Sequence, residues 1–355
     1  MPERSIPVLY YHRIGTSDSE HLSTSAAMFE KQMRFMHSHG YKTIGLDKLL
    51  GICSGRDSCS EKYFMITFDD GFYDNLANAH EILNKFSFKG IVFACSGLVR
   101  PENQRPSTEI SFNEAHKNTR KGDFSAFLSE KEISEMYKSG VWDFYSHTHS
   151  HNQVFTSSKI VSVFPDKEDH WGIISAYNAS SDNVSNELVS LMKNKASLPV
   201  FERKPGLLAE AFFPKISEIS KSFSSNSSEK IFSLLNTKID EKRYFFRETN
   251  EDYFSRVNNE LTCSRNFFKK YHSSKSDSIC WPWGKYHFML TEMADKAGFD
   301  SAFSTKSGAN SFGTNPFEIC RFPVKKNSLF RFSIGILLRS YCLSAKLYGF
   351  FHGKI

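Results

Sequence analysis

Apolar and polar positions along this chain switch between two periods. Short apolar, β-prone runs at residues 6–11, 64–68, 90–94, 141–146, 278–281 and 298–303 predict buried strands. Helical spacing lies between them. Ser25 precedes a pattern carrying Met28, Phe29, Met33 and Met36 that stops near Gly40, and residues 76–86 and 287–296 repeat the period. Ser129 with Glu132 forms a capping box for a helix ending at Gly140. Strands alternating with helices predict an α/β fold with a parallel sheet or barrel.

Two stretches break the alternation. Residues 100–123 are polar with little periodicity and read as a long loop. Residues 152–276 are rich in Ser, Lys, Asn and Phe and carry helical pieces at 183–195 and 252–268, so they read as a mainly helical insertion. The expected organisation is therefore a first barrel part over 1–151, the insertion over 152–276, a last barrel part over 277–327 and a C-terminal segment over 328–355.

Composition narrows the class. With 355 residues and 40% hydrophobic content the chain can bury a sizeable core. The net charge of +6 comes from scattered basic residues, which argues against a nucleic-acid partner and leaves a slight attraction to anionic lipid head groups. Seven cysteines with no CxxC pair argue for reduced thiols. The first residues lack an apolar h-region, and no apolar run reaches bilayer-spanning length, so the expected place is the cytoplasm.

Four clusters carry candidate chemistry, each directly after an expected strand. In Thr67-Phe68-Asp69-Asp70-Gly71 the adjacent carboxylates can point apart, one toward a metal and one toward a water; a plain turn is the competing reading. His147-Thr148-His149-Ser150-His151 offers imidazoles, the commonest zinc ligand type, with a polar loop as the alternative. Trp281-Pro282-Trp283-Gly284 offers a rigid aromatic wall for a sugar face, or a simple Pro-Gly turn with core tryptophans. His12, in Tyr10-Tyr11-His12-Arg13, ends the first strand. Active sites of α/β barrels sit at the C-terminal ends of the strands. Two His and one Asp make a zinc site with an open position, and a second Asp remains as base.

These motifs resemble the polysaccharide deacetylases with the NodB homology domain, carbohydrate esterase family 4. The family's first motif, T-F-D-D-G, is present unchanged, and the second, H-[ST]-x-x-H, matches His147 to His151. The resemblance implies that Asp69 is the general base, that Asp70, His147 and His151 are the metal ligands, and that His149 is a non-ligand. Pro282, Trp283 and Gly284 correspond to the third motif, P-Y-G, and are expected at the substrate. The opening Val-Leu-Tyr-Tyr-His-Arg-Ile resembles the branch with the biofilm poly-N-acetylglucosamine deacetylases, in which His12 would be the acid. Cys280 stands where the family often has an arginine that orients the base; Arg321 is expected to supply that charge and to belong to the substrate-binding set. No Leu-x-His motif occurs near the C-terminus. The resemblance covers roughly residues 5–151 and 278–325, and implies a distorted (β/α)7 barrel of the NodB type.

The expectation is thus a hydrolase with a divalent ion, zinc by its ligand set. It would remove N-acetyl or N-formyl groups from a polysaccharide or a lipid-linked sugar, in surface-glycan work such as lipopolysaccharide biosynthesis. The competing class is a catalytically inactive carbohydrate-binding module on the same fold. Residues 328–355 are apolar and aromatic, with only basic charges. They read either as a final helix packed on the core or as an amphipathic segment lying peripherally on the inner membrane.

Overall fold

The computed structural model describes residues 3–15, 22–163, 190–196, 198, 203–205, 245–324 and 328–352. The chain divides into two compact units, Met1–Ser150 with Asn259–Ile355, and His151–Asn258.

In the first unit the chain runs β1 (Val8–Tyr11), β2 (Arg13–Gly15), β3 (Ser23–Ser25), α1 (Ala26–Ser38), β4 (Lys42–Thr43), α2 (Leu46–Cys53), β5 (Tyr63–Asp70), α3 (His80–Lys85), β6 (Gly90–Ala94), α4 (Phe112–Asn118), α5 (Glu130–Lys138) and β7 (Trp142–Ser146). The second unit holds β8 (Gln153–Val163), β9 (Ser190–Ala196), β10 (Arg203–Pro205) and β11 (Phe245–Arg247). Helix α6 (Asn250–Phe268) leads back into the first unit, followed by β12 (Ser278–Cys280), α7 (Phe288–Lys296), β13 (Ser301–Phe303), β14 (Phe322–Pro323), α8 (Leu329–Arg339) and α9 (Cys342–His352).

The main sheet has the order β13-β12-β7-β6-β5-β1-β14, with β4 added on β5, and every pairing is parallel. A parallel bridge joins Phe303 of β13 to Ile319, and β14 pairs with β1, so residues 319–323 link β13 to β1 and curl the sheet toward closure. Strand β5 is buried along nearly its whole length, as expected of a parallel strand covered on both faces. Its alternation sorts the core. Phe64, Ile66 and Phe68 pack with Phe29, Met33 and Met36 of α1, whereas Met65 joins Val8, Phe93, Tyr145 and Phe303 in a second cluster. Asp69 falls in phase with Met65 and Thr67, away from the α1 side. The capping box Ser129–Glu132 is formed at the start of α5.

Two expectations need correction. The polar stretch 100–123 is not all loop: it holds α4, whose N-terminus is capped by Ser111. Within the stretch expected to be helical at 183–195, Ser190–Ala196 is a strand paired antiparallel with β8; residues 183–189 lie outside the described residues. The other expected helix of the insertion is present as α6, although residues 259–276 cluster with the first unit. In the second unit β10 pairs antiparallel with β11, and Arg256 holds Glu248 through two bonds of 2.8 Å.

Helices α8 and α9 follow the sheet edge. Gly335 of α8 lies so close to Phe322 that an added Cβ would meet the ring at 2.6 Å. Phe332 and Ile336 enter the main core beside Phe35. No helix among the described residues is long and apolar enough to cross a membrane.

Candidate metal and catalytic centre

Strand register brings the motifs together. Asp70 pairs with Ala94, Ala94 with Ser146, and Ser146 with Ile279, so β5, β6, β7 and β12 end side by side. Tyr11 pairs with Phe68, which sets His12 beside Asp69.

The two aspartates face different partners. Asp70 has φ of 72° and Gly71 of 84°, so the backbone turns sharply between strand and loop. The Asp69 carboxylate accepts Arg321 Nη1 at 2.6 Å and Nη2 at 2.8 Å in a two-pronged pair. His12 Nε2 lies 3.9 Å from Asp69 Oδ2. Burial alone would raise the Asp69 carboxyl; the charge of Arg321, then that of His147, the Arg321 hydrogen bonds and the charge of His12, outweigh it and hold the group below its ordinary value. Arg321 itself is buried, donates Nε to the Ser304 carbonyl at 3.0 Å and lies over the Tyr10 ring at 4.5 Å. Its fork is thus spent on Asp69. The structure turns Arg321 inward onto Asp69.

Asp70 meets the histidines. Its Oδ1 is 3.4 Å from His147 Nε2, and one donor atom each of Asp70, His147 and His151 falls within a 4.8 Å group, all three residues buried. His147 Nδ1 lies 2.8 Å from the Cys280 carbonyl, which directs Nε2 toward Asp70. Burial, opposed by Asp69 and Asp70, pushes the His147 imidazole down, toward the neutral form that binds metals. A second group, Asp69, His147 and Cys280, overlaps the first. It is the poorer donor set, because Asp69 is held by Arg321 and burial pushes the Cys280 thiol well up, keeping it protonated. A carboxylate with two imidazoles suits a divalent ion such as zinc, so the residues present fit the group the motifs imply.

The second motif is held from outside. Glu260 of α6 accepts the His149 N–H at 3.0 Å, the Ser150 N–H at 2.8 Å and the Ser150 hydroxyl at 2.6 Å. His149 Nδ1 pairs with Ser96 Oγ at 2.8 Å, and its carbonyl accepts the Gly97 N–H. His149 therefore stands apart from the donor group. Thr148 and His151 both have positive φ, so this turn, like Asp70, stores backbone strain at the site.

Two residues here were not anticipated. One is Glu260. The other is His116 of α4, whose Nε2 is 3.7 Å from Asp70 Oδ2 within an aromatic surround of Phe72, Phe112 and Phe127. Arg13, paired with Asp74 at 2.6 Å, also donates to the carbonyls of Thr108 and Ile110, anchoring the segment that carries α4. Only chain position could have flagged His116, a lone histidine in a polar stretch. Pro282, Trp283 and Gly284 form a tight turn after β12, with Trp283 at φ 60° and partly exposed. Trp281 is fully buried and stacks on Tyr286, so it belongs to the packing rather than to an open aromatic wall.

Known proteins resemble this chain in sequence and in fold. The family model "Polysaccharide deacetylase" matches residues 56–186. YxkH of Bacillus subtilis (strain 168), which its name assigns to the polysaccharide deacetylases, is 29% identical over 41% of this chain and 43% of its own length. The poly-beta-1,6-N-acetyl-D-glucosamine N-deacetylase of Staphylococcus aureus (strain MRSA252) is 26% identical over 44% of this chain and 52% of its own. The chain thus matches about half the length of these relatives. Among solved structures, a de-N-acetylase from Aggregatibacter actinomycetemcomitans superposes with a TM-score of 0.61 at 15% identity, over 94% of this chain and 100% of that one. IcaB from Ammonifex degensii gives 0.56 at 15% identity, over 95% and 97%. At such identities the structural likeness speaks for the fold, while the family match and the curated relatives speak for a likeness in sequence over part of the chain. Taken together, the matches make this chain similar to the polysaccharide deacetylases over residues 56–186, on a curled parallel sheet of the NodB type.

Proposed function

We propose that this chain is a metal-dependent N-deacylase of an amino-sugar glycan. The observation that carries the reading is the division of labour between neighbouring aspartates, one clamped by Arg321 and one facing two histidines. Asp70, His147 and His151 would hold the ion, with zinc favoured by two imidazoles and a carboxylate. When bound, a divalent ion there supplies Lewis acidity to the amide carbonyl and to a water. Asp69, kept as carboxylate by Arg321, accepts the proton of the attacking water. His12, which follows β1 and lies 3.9 Å from Asp69, donates a proton to the departing amine. Trp283 and Gly284, in the turn after β12, would border the sugar.

The Staphylococcus aureus relative makes β-1,6-linked N-acetylglucosamine the first substrate to test, with lipid-linked amino sugars of surface-glycan biosynthesis as the second. The test is acetate or formate release from β-1,6-linked N-acetylglucosamine oligomers and from lipid-linked sugars, with and without chelator. Release that stops with chelator and returns with zinc is expected. Release indifferent to chelator would remove the metal from the reading, and no release from any amino-sugar substrate would remove the reading itself. A sugar-binding module without turnover is not favoured, because base, acid and ligand positions are all filled and assembled.

A further inference from the structure

The two C-terminal helices bury one side and leave the other bare. Helix α8 packs Phe332, Gly335 and Ile336 inward, and α9 packs Cys342 and Ala345 inward, with the Cys342 N–H donating to the Glu3 carbonyl. The opposite positions stay apolar. On α8 the exposed residues are Phe330, Ile334 and Leu337, spaced i, i+4, i+7; on α9 they are Leu343, Leu347, Phe350 and Phe351, spaced i, i+4, i+7, i+8. Each set is one helical face. Phe330, Leu343, Phe350 and Phe351 are each more than 70% exposed. Ten large hydrophobic side chains are exposed among the described residues, and these two short helices carry seven of them. Scattered exposed apolar residues need no explanation, but a concentration of this kind marks an interaction surface.

Charge selects the occupant. Glu318 is the last acidic residue of the chain, while Arg331 and Lys346 stand exposed on the two helices. Arg339 is held between the rings of Phe322 and Tyr348, at 3.9 and 4.0 Å, and keeps the helical pair together. A second copy of this chain on the face would set Arg331 and Lys346 against their own equivalents across a two-fold axis, like charge on like. An anionic bilayer does the reverse: its head groups neutralise the cations and its acyl boundary takes up the phenylalanines and leucines.

We propose that α8 and α9 form a docking face for the surface of an anionic lipid bilayer, lying in the head-group region without crossing it. The face is read without substrate, so it stands or falls separately from the deacylase assignment. The test is co-sedimentation of the full chain with vesicles of phosphatidylcholine alone and of phosphatidylcholine mixed with phosphatidylglycerol. Binding to the mixed vesicles, weakened by salt, is expected. Leu343→Ser with Phe350→Ser should cut the partition constant by ~10-fold or more, since both side chains leave apolar contact. Arg331→Gln and Lys346→Gln should each cost roughly fivefold on the anionic vesicles. Circular dichroism and melting temperature close to the parent's show that the variants remain folded, because the substituted positions are exposed. Equal binding to both vesicle types, binding unchanged in the double serine variant, or no binding would overturn the proposal. So would a lipid-free dimer, seen by light scattering, that the same serine substitutions dissolve, since the face would then belong to a second copy.

Discussion

At the scale of single residues, Asp69 shows how a carboxylate can be buried and remain charged. Transferring it from water is unfavourable, and a lone buried carboxyl would take up a proton. Arg321 reverses that preference because its planar fork meets both oxygens, a geometry one lysine ammonium cannot reproduce. Arg321→Lys should therefore raise the Asp69 carboxyl toward its ordinary value. A base with a depressed pKa stays active as pH falls until that pKa is reached, so raising it moves the acid limb of the kcat/KM profile to higher pH. A limb that stays put in the lysine variant would separate Arg321 from the base. His116 makes a second residue-scale case. It contacts the carboxylate oxygen of Asp70 opposite the one that faces His147, and such outer contacts orient ligands. His116→Ala should weaken divalent-metal affinity by about 10-fold or more in chelator competition. Unchanged affinity would reduce His116 to aromatic packing.

At the scale of elements, the strands were readable because each is a short apolar run bounded by turn residues; Gly90–Ala94 matches its expected bounds, and β5, β7 and β12 differ by one or two residues. The ends of those strands made Asp69, Asp70, His12, His147 and His151 visible as candidates. Other pieces left no such trace. Helix α4 is only seven residues long, too short for a period to emerge from a polar stretch, so His116 stayed hidden with it. Glu260 acts across 110 and 111 positions, on a helix whose own pattern says nothing about what its polar side meets. Strand β9 mixes Leu and Met with Lys and Asn, a run that suits helix as well as strand, and its antiparallel partner β8 decided the matter. The clamp by Glu260 gives a prediction at this level. Glu260→Ala removes the acceptor for two backbone N–H groups and a hydroxyl from a turn strained at Thr148 and His151. The turn should relax, and metal affinity should fall by about 10- to 100-fold although Glu260 is not in the donor group. Parent-like affinity would show that the turn holds its shape unaided.

At the scale of the whole molecule, the donor group joins β5 to the turn after β7, so a bound ion would be a cross-link within the folded state. Anything that binds the native form alone stabilises it by mass action, by about 2.7 kcal/mol at a concentration 100-fold above Kd. Chelation should accordingly lower the melting temperature of the purified protein, and zinc should restore it. A melting temperature indifferent to both would mean that the three donors do not share an ion.

The bond between Arg321 and Asp69 spans 252 positions, and this has a temporal consequence. A ribosome adding roughly 5–20 residues per second places Arg321 tens of seconds after Asp69 has emerged. Throughout that interval the growing chain carries the aspartate pair, and in time the histidines, but not the cation that keeps the base ionised. Residues 319–323 are also what draws the two edges of the sheet together. Arrival of that one short stretch therefore joins the strands of the sheet and charges the base in the same event, and a nascent chain that has not reached it holds its chemistry in reserve.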